Sequence, residues 1–363
     1  MKSSKSILAV SVAAAAAVVL AACGGSGGSA SSESASGGAS GSGAAASCPL
    51  GAPDESITTT ARIAYQKIPN GDLIVKEQGI LEKCMPNATI TWNVFASGGD
   101  VLQAYGAGEV DLGLTGSNPA VKALSAPLDT TLPPTQNIWI FDVIGAGESL
   151  IVKPEIKSAA DLKGKQIATP FSSTSHYSLL NYLEQNGLSE TDVTLVNLEP
   201  EKMVAAWPDL AGAFVWDPTL SELVAQGGVP LASAADTAAA GKPTYDLANA
   251  TKPFIDANGP FMTMWAKAQN YAVGLINNEP DVAATSIAAE LAVPPEDVKK
   301  MFAGYKYLNA AEQASPEWLG GKLAEDFLAT AEFLLTQGAI DAVNTPEAYA
   351  AGVNNSFAAE AAK

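Results

Sequence analysis

From about residue 55 to residue 233, short apolar runs of strand length alternate with stretches of helical period, and polar turns separate them. ITTTARIAYQ, ending at Tyr65-Gln66, is rich in β-branched residues and predicts a strand. Gly71 to Cys84 predicts a helix whose apolar face carries Leu73, Ile74, Ile80 and Leu81. ATITWNVF (88–95) is a second strand, and Gly98-Gly99 then opens the helical stretch DVLQAYGAG. EVDLGLTG (109–116) is a third strand, running into the turn TGSNP, where Pro119 stands at a first helical position. NIWIFDVIG (137–145) is apolar enough to be a buried strand. This β-α-β-α order predicts an α/β lobe.

The rhythm then repeats. SLIVKPE (149–155) is a strand, and D-L-K-G-K is a short helix with a glycine stop before the strand KQIAT (165–169). A helix over 177–186 follows, then the strand VTLVNLEP (193–200), a helix at 201–207, the strand GAFVW (212–216), the helix PTLSELVAQ and a last strand GVPLAS (228–233). TYDLANATKPF (244–254) is extended, and from about Pro260 onward the chain is mostly helical with Ala/Leu faces. The predicted division is a first part of lobe 1 over 48–147, lobe 2 over 148–246, and a return to lobe 1 with C-terminal helices over 247–363. Two α/β lobes joined by crossovers make a cleft with a hinge, an architecture that closes around a small molecule.

The first residues read differently. Lys2 and Lys5 precede the apolar run Ile7–Ala22, which is short for a membrane span. Leu20-Ala21-Ala22-Cys23 has the pattern of a lipoprotein processing site, which predicts a signal peptide over 1–22 and acylation of Cys23. Residues 23–47 are nearly all Gly, Ser and Ala and predict a flexible tether. The expected location is the extracytoplasmic face of the cell membrane, held by lipid. Cys48 and Cys84 then either form a disulfide or remain two thiols.

Charge narrows the choice of partners. A formal net charge of −18 argues against nucleic acid or anionic lipid as the main partner. Arg62 and His176 are the lone arginine and histidine, so metal sites built from several histidines are excluded. An anion site must use lysine, hydroxyls or backbone N–H groups. Such a site is offered by PFSSTSHYSLL (170–180), where Ser172, Ser173, Thr174, Ser175 and His176 open a helix, and by the similar turn at Gly116-Ser117. Gln66, Glu148, Trp216, Asp217 and Asp246 stand near predicted strand ends or crossovers. Each also has a plainer reading as a strand end, helix cap or core residue. Together the two hydroxyl turns and the acids Glu148 and Asp246 suit a ligand carrying both an anion and an ammonium group. A hydrolase using Thr174 and His176 is a weaker alternative, because the sequence offers no clear acid to orient the histidine.

PFSSTSHYSLL, VNLEPEKMVAAW, GAFVWDP and GSNP resemble the taurine-type substrate-binding proteins of ABC importers, within the broader sulfonate/nitrate periplasmic-binding group. The resemblance runs from about Arg62 to Phe357 and includes A-Y-Q, F-A-S-G-G, A-G-E-V-D-L-G and the tail FLATAEFLLTQGAI. It implies a two-lobed α/β periplasmic-binding-protein fold of type II, no enzymatic activity and no cofactor. It further implies that the protein delivers taurine or a related small sulfonate to a permease; another sulfonate, a nitrate-type anion or an amino acid are the alternatives. By the same resemblance, Asp246, in P-T-Y-D where the family has P-T-L-D, holds an ammonium group. Gly116, Ser117, Thr174 and His176 hold the sulfonate, and Gln66, Glu148 and Trp216 lie in the cleft. Two places depart from the family pattern: the abbreviated loop Trp207-Pro208-Asp209 and the polar LANATKPF after Asp246.

Overall fold

The computed structural model describes residues 47–125 and 132–363. The expected signal peptide, the lipidated Cys23 and all but the last residue of the tether lie outside the described residues. Among the described residues eleven strands form two sheets. They are β1 (Thr60–Tyr65), β2 (Thr89–Val94), β3 (Leu112–Gly116), β4 (Thr135–Ile144), β5 (Glu148–Val152), β6 (Gln166–Thr169), β7 (Thr194–Asn197), β8 (Gly212–Trp216), β9 (Val229–Ser233), β10 (Tyr245–Thr251) and β11 (Tyr305–Lys306). The first sheet has the order β11-β4-β10-β3-β1-β2, and the second β7-β6-β8-β5-β9. β1, β2 and β3 pair in parallel, as do β6, β7 and β8, through helical crossovers. β10 and β5 enter their sheets antiparallel.

The alternation in β5 and β8 shows why the second sheet is covered on both faces. Leu150 and Phe214 point into one apolar cluster, with Ile167 and Leu179. Their neighbours Ile151 and Val215 point into the other, with Met203 and Trp207. Trp207 of the abbreviated loop is therefore a core residue, and Lys153 Nζ lies 4.2 Å from its ring centre. The first sheet is covered largely by C-terminal helices, among them Gly259–Asn278 and Lys322–Thr336. Trp265 from the former meets Trp139 and Phe141 of β4 edge-to-face, with ring centres 6.3 and 6.1 Å apart.

Three sequence expectations shift. The return to the first sheet begins at Tyr245, not at 247, because Asp246 and Leu247 pair with Gly116 and Thr115 of β3. The polar LANAT is a fully buried central strand whose Asn249 side chain bonds Thr115 and the Tyr105 hydroxyl. The stretch 71–84 is two helices, Gly71–Glu77 and Ile80–Cys84, separated at Gly79, whose φ of 59° suits glycine. Cys84 of the second is bonded to Cys48, tying the start of the described chain to this lobe. Among the described residues no helix is long and apolar enough to cross a membrane.

Candidate ligand-binding site

Strand register gathers the site. On the first sheet Asp246 of β10 stands opposite Gly116 of β3 on one side and Asp142 of β4 on the other. On the second sheet Glu148, the first residue of β5, stands opposite Trp216, the last of β8. These strand ends face each other across the gap between the lobes. Helix starts converge on the same gap. β3 runs directly into the helix Ser117–Leu124 with Gly116 as its cap. β6 leads through Pro170–Ser172 into the helix Thr174–Gln185, where Ser173 Oγ accepts from His176 N at 3.1 Å. A third helix, Gly98–Gly106, is capped by Ser97. A Cβ placed on Gly98 would lie 2.9 Å from Pro119 and 3.1 Å from the Gly116 nitrogen. The N-terminal ends of three helices, with the positive ends of their dipoles, thus meet in one place.

The lobes touch here. A Cβ on Gly116 would lie 2.6 Å from Thr174 Cγ2 of the other lobe. Asn118 Nδ2 donates to the Ser173 carbonyl at 2.9 Å, and Lys122 Nζ to Ser172 Oγ at 3.1 Å. Between them a narrow cleft is lined by Gln66, Ile68, Gly98, Gly116, Pro119, Glu148, Ser173, Thr174, Trp216 and Asp246. Gln66 is held by donating from Nε2 to the Leu114 carbonyl at 3.2 Å.

The pocket is electrically divided. Thr174 Oγ1 donates to Glu148 Oε1 at 2.6 Å, while Glu148 Oε2 is buried with no partner among the described residues. Burial pushes the Glu148 carboxyl up to about 7, against the lowering effect of the Thr174 and Ser175 hydroxyls. Asp246 is held well above the carboxylate range by burial and by Glu148 beside it. Asp142 is raised in the same way by burial, Asp246 and Glu148. A negatively polarised corner of buried acids thus adjoins a positively polarised corner of helix N-termini.

Of the residues singled out in the sequence, Gln66, Gly116, Glu148, Thr174, Trp216 and Asp246 are brought around this pocket. Ser117, His176 and Asp217 are not among its lining. Ser117 Oγ accepts from the Tyr245 backbone N–H at 3.3 Å, tying the helix to the start of β10. Asp217 accepts from Ser221 N and Oγ at 3.1 and 2.6 Å and serves the turn into the next helix. His176 stacks on Phe171, ring centres 4.8 Å apart, and its Nδ1 accepts from Ser172 N at 3.2 Å. Burial and the Lys122 ammonium push the imidazole down to about 4, so it is neutral at neutral pH. The Thr174 hydroxyl is committed to Glu148, so the Thr174/His176 pair imagined for a hydrolase does not form. Gly98 and Asp142 were missed by sequence reasoning. Their signals were a serine-capped Gly-Gly after a strand, repeating the TGSNP setting, and a lone acid inside the apolar NIWIFDVI. Among the described residues no cluster of His, Cys, Asp and Glu is arranged to hold a metal ion.

Comparison with known proteins adds to this geometry. Residues 92–217 match the family described as NMT1/THI5 like. The chain is 33% identical over 264 residues to the taurine-binding periplasmic protein of Escherichia coli K12, covering 70% of this chain and 80% of that one. Its fold matches the alkanesulfonate-binding protein of Xanthomonas axonopodis pv. citri bound to MOPS, with a TM-score of 0.65 and 24% identity over 84% of this chain and 99% of that one. It also matches the periplasmic nitrate-binding protein of Synechocystis PCC 6803, with a TM-score of 0.68 and 16% identity over 84% and 88% of the two chains.

Proposed function

This chain belongs to the NMT1/THI5-like family of two-lobed periplasmic binding proteins, and from that premise we propose that it captures taurine for an ABC importer of sulfonates. The observation that carries the reading is the division of one pocket into two polarities. The sulfonate lies against the helix starts at Gly98, Gly116 and Thr174, where each charge-assisted hydrogen bond contributes on the order of 1.5–3 kcal/mol. The ammonium lies against Asp246 and Glu148. Gln66 and Trp216 form the wall between the two ends. A bare anion such as nitrate would bring negative charge to buried carboxyls without relieving them, which favours a zwitterion over the nitrate alternative.

Delivery follows from mass action. Groups from both lobes hold the ligand, so occupancy favours the closed form, and that form presents itself to the permease. Acylation at Cys23 keeps the protein at the membrane surface, with residues 23–47 as the tether. Mass spectrometry of the mature N-terminus checks the anchor: an acylated Cys23 supports it, and a free amine at another residue removes it.

The ligand is tested by calorimetric titration with taurine, ethanesulfonate, sulfate, nitrate and amino acids. Taurine is expected to bind tightest. Clear binding of one of the others, with no heat from any sulfonate, overturns the reading.

A further inference from the structure

Asp142 does not line the pocket, yet it completes a cluster the ligand must meet. It is paired directly with Asp246 across β4 and β10, beside a bulge in that pairing, and it lies close enough to Asp246 and Glu148 to be acted on by both. Asp142 is 1% exposed, Asp246 7% and Glu148 3%. Asp142 Oδ1 and Glu148 Oε2 have no hydrogen-bond partner among the described residues. The groups facing Asp142 are all acidic or neutral: Asp246 from β10, Glu148 from β5, Tyr305 from β11, Tyr307 just beyond it, and Asp217 behind the tyrosines. The tyrosine hydroxyls are spent elsewhere, Tyr305 donating to the Gly147 carbonyl at 3.1 Å and Tyr307 to that of Pro69 at 2.6 Å. No lysine, arginine or histidine among the described residues forms an ion pair with any of the three carboxyls.

Two carboxylates at this spacing in a buried site cannot both be charged without a cation, as in other dyads that share one proton. We propose that Asp142 is a positioning residue that shares a proton with Asp246 in the empty protein, so that an ammonium group enters by displacing a proton from the buried carboxyls. The inference rests on the reading of the ligand as an amine-bearing sulfonate. In the step, the O–H bond at Asp246 breaks and its proton leaves to solvent. The incoming –NH3+ takes the place of that positive charge, and no other bond is made or broken. The site's net charge is the same before and after, apart from the sulfonate, which the helix starts hold. Asp142 thereby becomes a specificity residue without touching the ligand: an amine-free sulfonate offers nothing in exchange for the proton.

The test has a ligand-free arm and a ligand arm. In the full chain labelled with 13C at aspartate carboxyls, the shifts of Asp142 and Asp246 are followed from pH 5 to 8, with Asp142→Asn and Asp246→Asn for assignment. The pair is expected to keep one shared proton well above the usual carboxylate range, and Asp142→Asn is expected to lower the Asp246 midpoint by about one unit or more. In the second arm, calorimetry in buffers of unlike ionisation enthalpy counts protons released. Taurine is expected to release about one proton at neutral pH and ethanesulfonate none, with the taurine count falling by half or more in Asp142→Asn. Ordinary titration of both carboxyls in the empty wild-type protein overturns the proposal without any ligand. An unchanged proton count in Asp142→Asn also overturns it. High midpoints that fall in Asp142→Asn, with no heat from taurine, would remove the taurine reading and leave the shared proton standing. The wild-type titration decides the matter even where the variant does not fold.

Discussion

Gly116 has φ −73° and ψ 163°, an extended conformation that any residue adopts, so its own backbone does not require glycine. The requirement comes from the other lobe. A methyl at Gly116 would meet Thr174 Cγ2 at 2.6 Å, a contact that exists only when the lobes are together. Overpacking of this kind costs about 1–3 kcal/mol. Gly116→Ala is therefore expected to weaken taurine binding roughly ten- to a hundredfold while leaving the melting temperature of the empty protein nearly unchanged. Thr174→Ser removes the opposing methyl and keeps the hydroxyl for Glu148, so the double variant is expected to recover most of the affinity. Calorimetry on the two single variants and the double decides it: additive losses would place the effect of Gly116 within its own lobe. Asp246→Asn makes the complementary prediction at the other end of the pocket. It should cost taurine at least tenfold more affinity than it costs ethanesulfonate, and equal losses for the two ligands would take the ammonium away from Asp246.

The elements show what a sequence makes legible and what it hides. The succession of strands along each lobe could be read because β-branched runs and hydroxyl turns are local signals, and PFSSTSHYSLL stood out as the start of a helix. Its start was read three residues late, because the helix begins at Thr174 once Ser173 caps it. β10 resisted reading for the opposite reason. Its polar LANAT looks unlike a central strand, and only its partners Thr115 and Tyr105, distant in sequence, make Asn249 at home there. The same long-range pairing sets Asp142 beside Asp246, which no spacing along the chain announces. His176 is the converse case: a lone histidine next to the binding turn, it is a neutral ring that stacks on Phe171 and braces the loop, outside the cleft's lining. At this scale the Cys48–Cys84 bridge makes a prediction of its own. It closes a loop of sequence separation 36, and loop-closure entropy puts its contribution at about 4 kcal/mol. It anchors the chain ahead of β1 to the helix Ile80–Cys84, and neither cysteine lines the pocket. Replacing both with serine should lower the melting temperature by several degrees with little change in taurine affinity. A matching loss of affinity would show that the bridge shapes the cleft.

For the whole molecule the buried acids couple stability, pH and occupancy. Glu148 and Asp72 each have carboxyls pushed up to about 7 by burial, and Asp142 and Asp246 are raised well above the carboxylate range. Above their unfolded values near 4, the folded protein holds protons that the unfolded chain has released. Stability must therefore fall as pH rises through the folded values. His176 works in the other direction: held down to about 4, it makes the folded state gain stability as pH rises from about 4 to 6.5, after which its effect is complete. The acids are thus seen alone above about pH 6.5; most of the roughly 3 kcal/mol that Glu148 costs in all is already lost by then, and about 1 kcal/mol of it is lost as pH rises through its folded value. The melting temperature of the empty protein is expected to drop by several degrees between about pH 6.5 and 8.5. Saturating taurine should reverse most of that part of the drop that belongs to Glu148, Asp142 and Asp246, because its ammonium supplies the missing cation, and the stabilisation by a fixed excess of taurine should grow with pH. Asp72 provides the control. It lies in the first lobe, bonded by Gln269 Nε2 at 2.6 Å and outside the pocket, so Asp72→Asn should flatten the pH profile equally with and without ligand. A melting temperature that is flat or rises across this range would mean that the site acids are already charged in the empty cleft. The two-polarity pocket would then have to be held open by charge rather than closed around a proton.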